Sequence, residues 1–334
     1  MLTKGKFSKS IIMVLVLCMA VLTACGKKEE TVDKGEMTTD GQTFKIGVIQ
    51  IADHPALDNT RIGLEEVLKE KGIDFEIEYK NAQGEPGNVS LAVQSFVQSE
   101  VDLIYAIGTP AAQGAAENGA DIPVLFNAVT DAVTAELVES NDAPNGIVTG
   151  VSDYVSSKSQ LETFLRLFPE VKTMGAIFNT NEKNSEVQID ELIANGKELG
   201  IEVETIGINN LNDVSQAMAS LVGKTDGLFA ITDNLIASSA PIIGEILVEA
   251  GLPSMAAEEG PAAGGLLFSE GISYEYLGNL AGEMAIEILV NGKKPSEMPV
   301  KFAEETTLMV NSEVAEALGI DIKTVFADAV IIGE

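Results

Sequence analysis

The chain predicts an α/β protein of two doubly wound lobes with parallel sheets, joined by a hinge. Three observations carry this expectation. From Phe44 onward, apolar runs of five to eight residues alternate with amphipathic stretches of 10 to 18, the pattern of repeated βα units. The second half of the chain echoes the first. With 334 residues and 46% apolar content, the chain exceeds what one hydrophobic core organises and can fill two.

The elements follow in order. Strands are expected at 44–50, 75–80, 102–108, 122–129 and 147–151 in the first half, and at 173–179, 202–208, 226–232, 252–257 and 265–269 in the second. Between them, helices are expected at about 56–71, 88–100, 110–119, 131–140, 156–168, 185–199, 212–223, 234–250 and 274–292. The repeat sharpens the halves. Asp102-Leu-Ile-Tyr-Ala-Ile-Gly-Thr-Pro-Ala, a helix and Ile122-Pro123-Val124 are echoed by Asp226-Gly-Leu-Phe-Ala-Ile-Thr-Asp-Asn-Leu, a helix and Leu252-Pro253-Ser254. A glycine closes a helix and leads into a strand in both, at Gly72-Ile73 and Gly200-Ile201. Each lobe is therefore expected to be Rossmann-like. The stretch 274–292, amphipathic through Leu277, Leu280, Met284, Ile286 and Leu289, comes after the second half is complete and is expected to return to the first. The expected division is 44–150 plus about 272–300 for lobe 1, and 151–271 plus about 301–334 for lobe 2.

Upstream of the lobes, Lys4, Lys6 and Lys9 precede the apolar run 11–22 and then Leu22-Thr23-Ala24-Cys25-Gly26. A basic start, a short apolar core and small residues at the cut make a secretory signal over 1–24. Cysteine at the cleavage point resembles the bacterial lipobox, which implies a product diacylated on Cys25. An apolar run this short does not span ~30 Å of hydrocarbon, which takes ~20 residues. Residues 25–43, polar and without periodicity, read as a flexible tether. Such a chain would sit lipid-anchored on the outer face of the cytoplasmic membrane.

Charge and cysteine content exclude several classes. Net charge is -30, and removing the leader takes away three lysines and no acids, leaving -33. That field repels nucleic acid and anionic lipid. Cys18 falls in the leader and Cys25 at the lipid site, so the mature chain has no disulfide. With His54 the only histidine, no ordinary zinc or iron site can form, and no metal or cofactor is expected. No strand is followed by G-x-G-x-x-G, G-x-x-x-x-G-K-[ST] or G-x-S-x-G. Catalysis has little to stand on.

In open parallel sheets the ligand crevice lies beyond the carboxyl ends of the strands. That rule selects His54, Pro55, Gln83, Thr109, Pro110, Ala111, Thr130 and Asp131 in the first half, and Asn184, Ser185, Thr232, Asp233, Asn234 and Glu258 in the second. Each such Asp, Asn, Ser or Thr could equally be a helix cap contributing roughly 1 kcal/mol.

The segments His54-Pro55-Ala56-Leu57-Asp58, Asn81-Ala82-Gln83-Gly84, Thr109-Pro110-Ala111-Ala112-Gln113, Ala128-Val129-Thr130-Asp131, Thr149-Gly150-Val151-Ser152-Asp153, Asn181-Glu182-Lys183-Asn184-Ser185 and Thr232-Asp233-Asn234 resemble the ABC transporter substrate-binding family that includes the tryptophan/tyrosine uptake lipoproteins. The resemblance runs from Lys45 to about Val300 and implies a type I periplasmic-binding-protein fold, an aromatic L-amino acid as ligand, a membrane permease with its ATPase as partners, and a monomer. Ala132 stands where the family often has Pro, and Glu258 to Gly265 is unusually rich in Ala and Gly. Within that frame the helix opening at Asn184-Ser185 is expected to seat the ligand carboxylate. Asp233, with Thr232 and Asn234, is expected to hold the ammonium, with Asp131 and Asp153 as the next candidates. Pro55, Pro110, Ala111 and Tyr274 would flank a ring, with His54 at its edge.

Other readings keep the fold but bind a branched amino acid, nucleoside or sugar, or make the protein a ligand sensor for a membrane kinase. A secreted hydrolase lacks a nucleophile–base pair.

Overall fold

Residues 41–303 and 305–333 are described by the structure, a computed structural model. The expected signal segment, Cys25 and the tether up to residue 40 lie outside the described residues.

The first half gives β1 (Phe44–Gln50), α1 (Pro55–Glu70), β2 (Phe75–Asn81), α2 (Pro86–Gln98), β3 (Leu103–Ile107), α3 (Thr109–Asn118), β4 (Val124–Asn127) and β5 (Val148–Ser152). The second gives α4 (Ser157–Leu167), β6 (Thr173–Asn179), α5 (Lys183–Leu199), β7 (Glu202–Ile208), α6 (Val214–Leu221), β8 (Gly227–Ala230), α7 (Asn234–Ser238), α8 (Ala240–Ala250), β9 (Ser254–Ala256), α9 (Glu259–Ala263) and β10 (Phe268–Gly271). The chain ends with α10 (Tyr274–Leu289), β11 (Lys301–Phe302), β12 (Thr307–Asn311), α11 (Ser312–Ala317), α12 (Ile322–Val325) and β13 (Val330–Ile332).

One sheet has the order β11-β5-β4-β3-β1-β2, the other β13-β12-β10-β9-β8-β6-β7. Both therefore place their first five strands in the order 2-1-3-4-5, the structural form of the sequence repeat. The matching Asp102 and Asp226 do matching work. Asp102 accepts the amide of Lys45 at 2.8 Å, and Asp226 accepts those of Lys172 and Thr173 at 2.9 Å. Gly72 and Gly200 follow α1 and α5 at φ +69° and +79°, in the left-handed region where a side chain is strained.

The lobe 1 core stacks Ile46, Val48, Leu103, Tyr105 and Phe126 against Leu277, Ala281 and Met284 of α10. Its buried polar pin is Asn127, whose amide donates to Tyr105 Oη at 2.7 Å and to Leu277 O at 3.0 Å. That pin fixes the start of α10, and with it Tyr274. In lobe 2, Phe164, Phe229, Phe268 and Phe326 fill the corresponding space, with the Phe268 and Phe326 rings 5.2 Å apart.

Three features differ from expectation. No helix forms at 131–140. There the Asp131 carboxylate accepts the amides of Val133 and Thr134 and the Thr134 hydroxyl, closing a local turn, and Glu136 adopts φ +59°. A short acceptor that captures its own backbone competes with the helix. The expected helix 234–250 is two helices broken at Ser239, because Pro241 lacks an N–H and crowds the preceding turn. Finally, β12 runs antiparallel to β10. The chain reaches β12 directly from β11 at the carboxyl end of the first sheet, without a crossover helix, and so enters the second sheet from the opposite end.

Candidate functional site

The doubly wound order puts its switch points at β1/β3 in one sheet and β6/β8 in the other, where the loops diverge and leave a crevice. Between the lobes is an enclosed cavity. It is lined by His54 and Leu57 around the start of α1, Ala128 and Thr130 after β4, Asp153 after β5, and Asn184 on α5. Thr232, Asp233, Asn234 and Ala237 around α7, Glu258 before α9 and Tyr274 opening α10 complete the lining. The lobes are shut over it, leaving about 10 Å³, space for about one water. Hydrogen bonds join the lobes across the crevice: Asn59 Nδ2 donates to Glu259 Oε1 at 3.2 Å, and His54 Nε2 lies 3.4 Å from Asn234 Oδ1. Outside this contact an open groove of about 1420 Å³ runs between β2 and β7, with Asn81 and Gln83 on one wall and Asn181, Asn209 and Leu211 on the other. Asn234 borders both spaces.

Buried acids dominate the cavity. Asp153 accepts the Tyr274 hydroxyl on Oδ2 at 2.9 Å, while its Oδ1 is buried without a partner among the described residues. Glu258 accepts Gly260 N at 2.8 Å. Burial pushes its carboxyl up to about 8, with the charges of Glu259 and Asp153 adding to the effect. Burial also raises Asp153 and Tyr274. Deeper in lobe 2, burial and then the neighbouring Asp233 charge push Glu182 up to about 7. Glu182 accepts from the side chains of Asn179 and Asn234. His54 goes the other way: burial lowers it to about 4, against the smaller opposing effects of Asn234, Asp58 and Asp53. It is a neutral imidazole at pH 7. The cavity thus offers buried acids and neutral acceptors, with no cationic side chain among its lining residues.

The residues selected from the sequence divide into groups. His54, Thr130, Asp153, Asn184, Thr232, Asp233, Asn234, Glu258 and Tyr274 come together around the cavity. Pro55 is exposed at the first position of α1, and Gln83 lies in the outer groove at φ +56°. Thr109, Pro110 and Ala111 are buried in the first turn of α3, outside the cavity lining. Asp131 is engaged in its own turn.

Two expected roles are corrected. Asp233 is already saturated: Oδ1 caps α7 through Leu235 N and Ile236 N, and Oδ2 accepts Asn179 N at 2.6 Å and Ser185 Oγ at 2.7 Å. It has no free lone pair for an ammonium. By the same bond the Ser185 hydroxyl is committed, and Glu182 sits at the cap of α5, so that helix start is a poor carboxylate seat. Leu57 and Ala128, inside the motif segments but not selected, and Ala237, outside them, wall the cavity; small or apolar side chains at helix and loop positions read as core.

Residues 45–330 match the family described as ABC transporter substrate binding protein. The chain belongs to that family. A curated relative, a tyrosine-binding protein of Clostridioides difficile (strain R20291), is 40% identical over 97% of this chain and 95% of its own length. Among solved structures, this substrate-binding protein matches an ABC domain in complex with L-Trp from Streptococcus pneumonia with a TM-score of 0.83. That pair is 33% identical, covering 87% of this chain and 100% of the other. The ligand-free, open structure of a Clostridium difficile substrate binding protein is more similar in sequence, 41% over 86% of this chain and 99% of that one, yet superposes less well, with a TM-score of 0.67. Proteins of this family work outside the cytoplasm, hand a small molecule to a membrane permease, and are generally not enzymes.

Proposed function

We propose that this protein captures an aromatic L-amino acid between its lobes and delivers it to the permease of an ABC importer. The observation that carries the reading is Asp153 Oδ1, a buried carboxyl oxygen without a partner among the described residues, in an acid-lined cavity with no cationic side chain in its lining. Such an atom calls for a cationic donor, and the ammonium of an amino acid is one. Glu258 stands beside it as the second acid, and Asn184 Oδ1, also buried and unpartnered, is a neutral acceptor for another ammonium hydrogen. Leu57, Ala128 and Ala237 supply apolar wall. The tyrosine-binding and L-Trp-bound relatives favour an aromatic side chain.

Titration calorimetry of the purified protein against the twenty amino acids tests the reading. Binding confined to aromatic L-amino acids is expected, and Asp153→Asn weakens it roughly 30-fold or more, as removing one partner of a buried charge pair costs about 2 to 5 kcal/mol. Retained affinity in Asp153→Asn removes that residue from the site. Tight binding of a sugar or a branched amino acid instead overturns the ligand class.

The same proposal places the protein as a lipid-anchored monomer on the outer face of the membrane, with 1–24 as signal, Cys25 as the acylated residue and 25–43 as tether. Cys25→Ser is expected to release it from the membrane fraction. A variant that withstands a carbonate wash speaks against the anchor.

A further inference from the structure

Besides Asp153 Oδ1 and Asn184 Oδ1 the cavity has a third unpartnered acceptor, on His54, and its protonation state follows from the bonds around it. Asn234 donates its side-chain amide to Glu182 Oε2, so the atom it presents to His54 is the carbonyl oxygen, an acceptor. The nitrogen of His54 facing it, Nε2 at 3.4 Å, is therefore the one that carries the hydrogen. A neutral imidazole with hydrogen on Nε2 has a bare lone pair on Nδ1. That nitrogen is buried and has no hydrogen-bond partner among the described residues, in a residue only 7% exposed that lines the cavity.

His54 follows β1, and Asp153 follows β5. In the sheet order β5-β4-β3-β1 these strands are separated by two others, and both residues line the same cavity. In the amino-acid reading the three hydrogens of the ammonium are already matched by Asp153, Glu258 and Asn184, which leaves His54 Nδ1 for a different donor on the ligand. With the ammonium at Asp153, Glu258 and Asn184, and Leu57, Ala128 and Ala237 as apolar wall, the side chain of the ligand is the part left to reach His54.

We infer that His54 Nδ1 is the specificity-determining acceptor of this site, taking a hydrogen bond from a donor on the far edge of the ligand's ring, so that a phenol or an indole N–H is selected over a plain phenyl group. This rests on the amino-acid reading of the cavity. Its physical basis is the asymmetry of buried polar groups: a site built to accept a hydrogen bond rejects the analogue that lacks the donor, because its own acceptor is then left dry and unpaired.

Two measurements test it, and both use the chain's single histidine. Nitrogen NMR of the imidazole at pH 7 is expected to show hydrogen on Nε2 and none on Nδ1, with the Nδ1 resonance shifting on addition of L-tyrosine or L-tryptophan and holding its frequency at saturation with L-phenylalanine. Calorimetry is expected to show both donor-bearing ligands binding more tightly than L-phenylalanine, by about 10-fold or more. In His54→Phe the ratio falls to within about threefold, through weaker binding of tyrosine and tryptophan and not of phenylalanine. Hydrogen on Nδ1, or equal wild-type affinity for all three ligands, overturns the inference. So does a ratio that survives in His54→Phe. If the wild-type protein binds none of the three, the amino-acid reading has failed instead, and the tautomer measurement still judges His54 where the variant does not fold.

Discussion

The hydroxyl of Ser185 donates to Oδ2 of Asp233 at 2.7 Å, tying the first turn of α5 to the loop that opens α7. With the Asn179 amide on the same oxygen and two α7 amides on the other, Asp233 is the structural hub of lobe 2. Asp233→Ala loses a helix cap, about 1 kcal/mol, and leaves the buried Ser185 hydroxyl and Asn179 N–H unpaired, about 1 to 3 kcal/mol each. A clear fall in melting temperature is expected, with ligand affinity reduced far less than in Asp153→Asn. Melting curves and calorimetry on the two variants check this; the reverse ranking would return Asp233 to the ligand.

The acid-lined cavity also fixes a direction with pH. Glu258 has a folded pKa of about 8 against an ordinary carboxylate near 4.5, so the shut, ligand-free form holds a proton that the unfolded chain gives up. A raised pKa contributes stability that is full below about pH 4.5 and is lost as pH rises through about 8. Glu182, held at about 7, adds to the same trend. The ligand-free protein is therefore expected to melt higher at pH 6 than at pH 9. Glu258→Gln keeps an acceptor for Gly260 N and flattens the dependence. Melting temperatures across that range decide the matter; a profile unchanged in Glu258→Gln would assign the pH effect elsewhere.

Much of this was legible in the sequence, for physical reasons. Alternating apolar runs report sheet burial directly, and the paired Asp102/Asp226 and Gly72/Gly200 marked two copies of one unit because each copy needs the same strand clamp and the same helix stop. The strand-end rule found most of the cavity lining. Roles were harder to read than places. Asp233 and Asp153 look alike in sequence, and only the donor count separates a saturated cap from an acid with a bare oxygen. Asp131 shows the same limit, since a carboxylate that folds onto its own amides reads as a helix start. The strands β11, β12 and β13 lie outside the βα repeat, on or next to sheet edges, where burial on both faces and the apolar run that reports it are lost.

Close helix packing gives a test on the other side of lobe 1. On α10, a Cβ at Gly278 would run into the backbone of α1 at Thr60 O and Gly63, whereas one at Gly282 would meet Val67 Cβ at 2.7 Å and a γ methyl at 3.0 Å, a looser approach of which only the methyl can rotate away. Overpacking against backbone forces the helices apart, at about 1 to 3 kcal/mol. Gly278→Ala is expected to destabilise the protein more than Gly282→Ala. Denaturant unfolding of both variants checks the order, and equal effects would show that the interface yields as readily at Thr60 as at Val67.

Closure itself hangs on few bonds, one of which can be inverted by a single atom change. Asn59 on α1 donates to Glu259 at the start of α9 across the crevice, and Glu259 also accepts the amide of Tyr274. Asn59→Asp keeps the size of the side chain but sets a carboxylate where the donor was, so a lobe-bridging hydrogen bond becomes a like-charge contact in a largely buried place. The shut form is then disfavoured while each lobe keeps its own core. A larger radius of gyration is expected for the ligand-free variant at pH 8, by small-angle scattering. Affinity for the ligand falls in proportion to the lost fraction of closable molecules. Because burial already raises the Glu259 carboxyl, lowering the pH protonates it first and restores the contact, so the variant contracts again in acid. A variant whose radius matches the wild type at both pH values would show that the lobes are held shut by packing and not by this bond.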